Sequence, residues 1–490
     1  MNICNRSCFY IKQSINIFCA LYNISKLRKN INNNENQEIL KKTIMNLKNN
    51  INNIGMFAVK LVQWTLDRLN IISDSNTTDF IIKSFEEYYE NCEKHQFNFT
   101  KNIYFNDFNT ELENEFIIEE KAIASGSIGQ VYKGHFKNNK SKKIAMKVIH
   151  PNLDNQMFIP KLFLKTFCFL TKNISCINKY HIPLNFDNFF TNLQKQIDLS
   201  EEVINIERSR ELYKNNDLIV IPEVYKSSKN LIVMSYEEGE FYENLELTNY
   251  QKYKLLTILK LYIRSSCIIN NFMHADLHNG NWKVRKHPTL KNMFQVILLD
   301  FGLCTEIEEG FYFEYDKCTD KDDWESLYDL FLDTDSVIEW PDNLDRKEHK
   351  NKTSKLWRKL YNENNGSSKA ILIAIIKDLI KSKIIVENKR FELFFTLVLT
   401  YKHFEKYVEN QNLYKEKKDF TLKNIYFNHI TFCKTYNCFN NYSNFLEKYV
   451  KENNENYCLF QDAEKNLISL NCNNAKIDTD SELDTESDED

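Results

Sequence analysis

Glycine is scarce in this chain, with nine among 490 residues, and proline is scarcer still, with six. That excludes collagen-like and Gly/Pro-rich low-complexity architectures. It also makes each retained glycine informative, because glycine persists where the backbone needs positive φ or a close approach. Five of the nine fall at positions 126, 129, 134, 280 and 302. An excess of positive charge is missing too: the net charge is −4, which argues against a dedicated nucleic-acid binder. The thirteen cysteines form no CxxC pair and no Cys/His cluster at zinc spacing, so they read as reduced thiols of an intracellular protein. No stretch of 18 uninterrupted apolar residues occurs. A bilayer-spanning helix is therefore not expected, and the chain reads as soluble or membrane-peripheral. Acidic residues are absent before Glu35, whereas Arg6, Lys12, Lys26, Arg28 and Lys29 precede it. Such a start suits a mitochondrial presequence, or equally a basic disordered arm.

What is present is a chain 42% hydrophobic and 13% aromatic, enough for a sizeable core. Residues 1–50 are basic and Asn-rich, with 30–50 reading as linker or frayed helix. Residues 51–112 have helical apolar spacing, in GMFAVKLVQWTLDRLNII and again in FIIKSFEEYY. From 113 to 247 the texture is β-rich at both ends, with alternation in IAMKVI and two strands around a turn in LIVIPEVYKSSKNLIVMS. Between them, residues 153–215 look helical. Residues 248–450 are mainly helical apart from VILLDFG. Residues 451–490 form an acidic tail without order.

Four short motifs carry the chemistry. Ala124-Ser125-Gly126-Ser127-Ile128-Gly129-Gln130-Val131 nearly matches GxGxxGxV, a hairpin whose backbone amides approach phosphates. Lys147 stands in an apolar alternating strand, where an ammonium is costly unless it meets a carboxylate or phosphate. In QIDLSEEVIN, Asp198 and Glu202 are four apart and, on a helix, share a face. HADLHNGN gives Asp276 and Asn281 the spacing of H-R-D-x-x-x-x-N, and VILLDFG ends an apolar strand with Asp300-Phe301-Gly302. A strand-end Asp beside a flexible turn offers Mg²⁺ a fixed hard oxygen, and Asn281 offers a second. Each motif has a bland alternative: an ordinary hairpin, an edge-strand lysine, a solvated acidic face, a capped loop. Their occurrence together, in this order, predicts an α+β bilobal protein-kinase-like fold with a small β-rich lobe, a larger helical lobe and a helical N-terminal extension.

KAIASGSIGQVYKG, KVIHP, QIDLSEEVIN, HADLHNGN and LLDFG resemble the aarF-domain (UbiB-type) atypical kinases over roughly residues 51–310. That family has an alanine-containing loop, an N-terminal KxGQ element, an ExD or QxD helix motif and HADPHPGN. Here KxGQ stands as Lys60-Leu61-Val62-Gln63, Leu277 and Asn279 replace two prolines, and Gly126 replaces a frequent alanine. The resemblance implies ATP and Mg²⁺ as cofactors, Lys147 on the α/β-phosphates paired with Glu202, and Asp276 as the catalytic carboxylate. It also implies that Lys60 and Gln63 reach the cleft, with Lys60 meeting Asp198, and that the function is tied to prenyl-quinone (coenzyme Q) or lipid metabolism in mitochondria. In such proteins the helical extension covers the place where a protein kinase binds peptide, which favours ATP hydrolysis or small-molecule phosphoryl transfer. Two rivals stand beside this reading. A phosphotransferase of the aminoglycoside/choline kinase type shares HxDLHxGN but usually lacks DFG. A nucleotide-gated scaffold or lipid-binding protein would keep the pocket without turnover. An ordinary protein kinase is disfavoured because no A-P-E follows the DFG.

Overall fold

In a computed structural model of the chain, residues 3–32, 37–72, 80–81, 83–85, 94–173, 186–364, 367–409 and 422–452 are described. The acidic tail beyond residue 452 and half of FIIKSFEEYY lie outside them. The small lobe is an antiparallel sheet in the order β1 (Phe116–Ile118), β3 (Gly129–Phe136), β4 (Asn139–Ile149), β7 (Leu231–Ser235), β6 (Val224–Ser227), with β2 (Ala124–Ser125) paired to the start of β3. The period-two pattern of β4 buries Ile144, Met146 and Val148 against Leu231 and Val233, so Lys147 must face the other way. Pro151 lies two residues beyond the end of β4.

The large lobe is built on a helix, Asn249–Ile268, started by a capping box in which Thr248 and Gln251 satisfy each other's backbone amides. Its apolar face covers the sheet β5 (Ile219–Val220), β10 (Phe294–Leu298), β9 (Trp282–Lys286). A second ribbon pairs β8 (Phe272–His274) with β11 (Cys304–Glu306). Deep in this lobe Arg264 is paired with Asp316, with Tyr442 accepting from Arg264 Nε at 2.9 Å and Tyr426 donating to Asp316 at 2.9 Å. A buried ion pair needs these extra hydrogen bonds to offset its desolvation.

Ahead of both lobes run α1 (Ile3–Asn32), α2 (Gln37–Ile54) and α3 (Met56–Ile72). The reading of residues 30–50 as linker or frayed helix is corrected here. Ile44, Leu47, Ile51 and Ile54 recur at helical spacing and are buried, so α2 is held by tertiary packing that propensity alone would not provide. Nor is α1 a loose arm. Gln13 Nε2 donates to the carbonyl of Ile54 at 2.7 Å and to that of Gln156 at 2.9 Å. Val62, which stands where the KxGQ pattern has glycine, finds room half-buried against the cluster that includes Ile51 and Leu66. No helix among the described residues is long and apolar enough to cross a membrane.

Behind the glycine-containing hairpin lies a polar relay that no motif in the chain announces. His95 and Gln130 exchange two amide hydrogen bonds at 3.0 Å. His95 Nδ1 lies 3.0 Å from His150 Nδ1, and His150 Nε2 lies 3.0 Å from the Gly126 carbonyl. A carbonyl only accepts, so His150 carries its proton on Nε2 and its Nδ1 accepts from His95. Burial first, then the cost of a second positive charge against the His150 ring, holds His95 down at about 4. A depressed histidine is neutral in the folded state while the unfolded chain takes a proton below its ordinary 6.5. Stability from this site is therefore complete above about pH 6.5 and lost as pH falls toward 4. The melting temperature should fall over that window, and His95→Gln should make the fall shallower. An unchanged acid limb in the variant would remove His95 from this role.

Candidate active site

The two helices Phe186–Gln196 (α6) and Leu199–Tyr213 (α7) bring QIDLSEEVIN beneath β4. Asp198 is the residue before α7, with extended backbone, and its Oδ1 accepts from Ser200 N at 3.1 Å. It is a helix cap, so the expected shared face with Glu202 and the expected meeting of Lys60 with Asp198 are not what the structure brings together. Glu202, one turn in, is 2% exposed and takes Lys147 Nζ on both oxygens, at 2.9 and 2.8 Å. The same ammonium donates to Asp300 Oδ1 at 3.0 Å. Burial alone would lower the lysine pKa, but Asp300 and Glu202 outweigh it and hold it above its ordinary value. Burial pushes Glu202 up to about 7, against the pull of Lys147. Asp300 is held well below the usual carboxylate range: its crowded surroundings would raise it, but Lys147, Lys60 and the Gly302 amide outweigh that.

Asp300 sits in the left-handed region, at φ 53°. Asp tolerates that conformation better than most residues, and outliers of this kind persist where surrounding contacts dictate them. Two such contacts hold it: Gly302 N donates to Asp300 Oδ1 at 3.2 Å, and Asn205 of α7 donates to the Phe301 carbonyl at 2.9 Å. The Asp300 segment is stitched to the HADLHNGN loop by three bonds. His274 Nε2 donates to the Leu299 carbonyl at 3.0 Å, Leu299 N to Asn281 O at 2.8 Å, and Ala275 N to Leu303 O at 2.9 Å. Asn281 Nδ2 donates to the Asp276 carbonyl at 2.8 Å, which fixes the amide and leaves Oδ1 as a hard oxygen.

Asp276 is half-buried. Burial would raise its pKa, but His278, Lys60 and His274 outweigh that and keep it below the ordinary value. His278 is a neighbour the sequence reading passed over: its Nδ1 accepts from Gly280 N at 3.0 Å, so Nε2 carries the proton and lies 3.9 Å from Asp276 Oδ2. The signal was its place in the HADLHNGN loop. Lys60, on α3, forms no ion pair with Asp276 or Asp300, but its charge helps to lower both carboxylates. That helix is fixed to both lobes. Phe57 packs on Phe189 and Phe190 of α6, and Arg68, lying 3.8 Å over the Trp64 ring, pairs with Glu392 of the large lobe. Gln63 is buried on the same helix.

Of the hairpin residues, Ala124 pairs with Val131 and Ser125 with Gln130, and Gly126 N donates to Gly129 O at 2.9 Å to close the turn. Ser127 is buried and Ile128 packs toward Phe57 and Leu193. Gln130 was read as a nucleotide-side residue, but its side chain is buried behind the hairpin on His95 and Tyr132. The strand period sends it to that face.

A two-lobed kinase-like fold, with a lysine–glutamate pair, a D-x-x-x-x-N loop and a DFG turn converging at the lobe junction, defines the class. Residues 58–321 match the model of the ABC1 atypical kinase-like domain, and the chain belongs to that family. It is similar to probable serine/threonine-protein kinase abkC of Dictyostelium discoideum, 27% identical over 47% of this chain and 33% of that protein. It is also similar to AarF domain-containing protein kinase 1 of Xenopus tropicalis, 26% identical over 43% of this chain and 40% of that one. The chain spans less than half the length of these curated relatives. Among solved structures, the complex of Rv3197 with erythromycin from Mycobacterium tuberculosis matches with a TM-score of 0.44 at 15% identity, over 65% of this chain and 83% of that chain.

The two hairpin glycines separate by test. A Cβ on Gly129 would lie 2.4 Å from the Val148 carbonyl, whereas one on Gly126 would come no nearer than 3.9 Å to its closest neighbour. Gly129→Ala should cost about 1–3 kcal/mol in chemical denaturation, by forcing β3 off β4. Gly126→Ala should leave stability within about 0.5 kcal/mol. Equal effects of the two would mean that the hairpin is not packed as described.

Proposed function

We propose that the protein binds ATP at the lobe junction and either hydrolyses it or transfers its γ-phosphoryl group to a small acceptor. The observation that carries this is Lys147 held between Glu202 and Asp300 above Asp276 and Asn281. Lys147 contacts the α/β-phosphates, with Glu202 fixing its position. The turn of the 124–131 hairpin covers the phosphates with backbone amides. In the transfer, an acceptor oxygen forms a bond to the γ-phosphorus, the bond to the β,γ-bridging oxygen breaks, ADP leaves, and the acceptor's proton passes to the Asp276 carboxylate.

Magnesium fits the donor set. Asp300 Oδ2 and Asn281 Oδ1 are hard oxygens with no hydrogen bond among the described residues. A site of one carboxylate and one amide suits Mg²⁺, which completes its shell with water and phosphate and there neutralises phosphate charge. We read the acceptor as water, a prenyl-quinone precursor or another lipid-linked small molecule, on the family resemblance and on Lys60 standing beside Asp276. A mitochondrial location is proposed on the same resemblance.

Asp300→Asn should lower ATP affinity at least tenfold with Mg²⁺ present and little without it, at an unchanged melting temperature. Equal Mg²⁺-ATP affinity in the folded variant would remove Asp300 from the metal. Lys60→Ala removes a positive charge from beside Asp276 and Asp300. It should change ATP turnover several-fold without changing the melting temperature, and wild-type turnover would return Lys60 to a surface role.

A further inference from the structure

α1 is apolar on two opposite faces. Ile17, Ala20 and Leu27 face inward and are buried. Ile11, Ile15, Phe18 and Tyr22, at i, i+4, i+7 and i+11, fall on the opposite side at about 100° per residue. The helix Leu153–Asn173 runs beside α1, with Tyr10 against Phe158 at 5.7 Å between ring centroids and Phe18 against Phe163 at 6.2 Å. It adds Phe158 and Leu162 to the outward surface. These six side chains, the four of α1 and these two, are between 56% and 68% exposed. Isolated exposed apolar residues are ordinary, but two adjacent stripes on rigidly packed helices make a contiguous patch, which marks a binding surface. The same face of α1 continues into the exposed Lys26 and Lys29, with Lys12 on its flank, and α1 contains no Asp or Glu.

We infer that this two-helix face docks on an anionic lipid surface, lying in the interface plane without crossing it. Aromatic and aliphatic side chains would enter the headgroup boundary, and the lysines would meet lipid phosphates. A second copy of this chain fits less well, because α1 carries no carboxylate to meet the lysines of its mate. The face is made by α1 and Leu153–Asn173 and uses none of the residues at the lobe junction, so the inference stands apart from the nucleotide reading.

The test is co-sedimentation of the full chain with vesicles of phosphatidylcholine alone and of phosphatidylcholine with one quarter phosphatidylglycerol. Wild type should pellet with the anionic vesicles and much less with the neutral ones. Lys26→Glu with Lys29→Glu should weaken binding by roughly fivefold or more per lysine. Ile15→Asp with Phe18→Asp should abolish binding, while the melting temperature and ATP affinity stay at wild-type values. The proposal is overturned if wild type ignores anionic vesicles, or if the Ile15/Phe18 variant binds them as wild type does. It is also overturned by lipid-free self-association that the same variant abolishes, or by capture of a soluble acidic protein without any vesicle binding; these would make the face a protein interface.

Discussion

The ammonium of Lys147 is the point on which the molecule turns. It joins β4 to α7 through Glu202 and to the DFG turn through Asp300, and so ties the small lobe to the large one. Glu202 is almost wholly buried, and a buried carboxylate is tolerable only with a cation and hydrogen bonds about it. The left-handed backbone at Asp300 serves the same arrangement, since it lets one carboxylate accept from both the lysine and Gly302.

The second constraint is the lead-in. α3 is held at one end by aromatic packing on α6 and at the other by Arg68, which combines a cation–π contact with an ion pair to Glu392. A helix fixed at two points on different lobes limits how far the lobes can separate. It also fixes where Lys60 stands relative to Asp276. Valine at position 62 does not disturb that path, because the cluster formed by α1, α2 and α3 absorbs its side chain. The extension thus packs against both lobes beside the candidate site, with its own small core.

Much of the site was legible because its chemistry needs unusual residues in unusual surroundings. A lysine in an alternating apolar strand, and an aspartate at the end of VILLDFG, are costly unless they have partners, so their presence announces the partners. Asp198 and Gln130 misled for a shared reason. Spacing on an assumed helix or loop cannot say whether a residue is the last one outside the helix, or which face of a strand turns inward. β9 went unread because WKVRK, short and interrupted by charges, looks like surface until β10 pairs with it. Residues 30–50 were read as linker or frayed helix because the buried isoleucines of α2 are diluted by asparagine and lysine.

The sequence by itself determined the fold class, the order of the motifs and which polar groups had to be kept. Those follow from local periodicity and from the cost of burying charge, and both are written along the chain. Only the tertiary structure decided which carboxylates Lys147 meets, that Lys60 acts on Asp276 and Asp300 rather than on Asp198, and that His95 and His150 support the glycine hairpin from behind. These are contacts between segments far apart in sequence. Their partners are chosen by how helices and sheet pack, and neither periodicity nor residue type encodes a distance between elements.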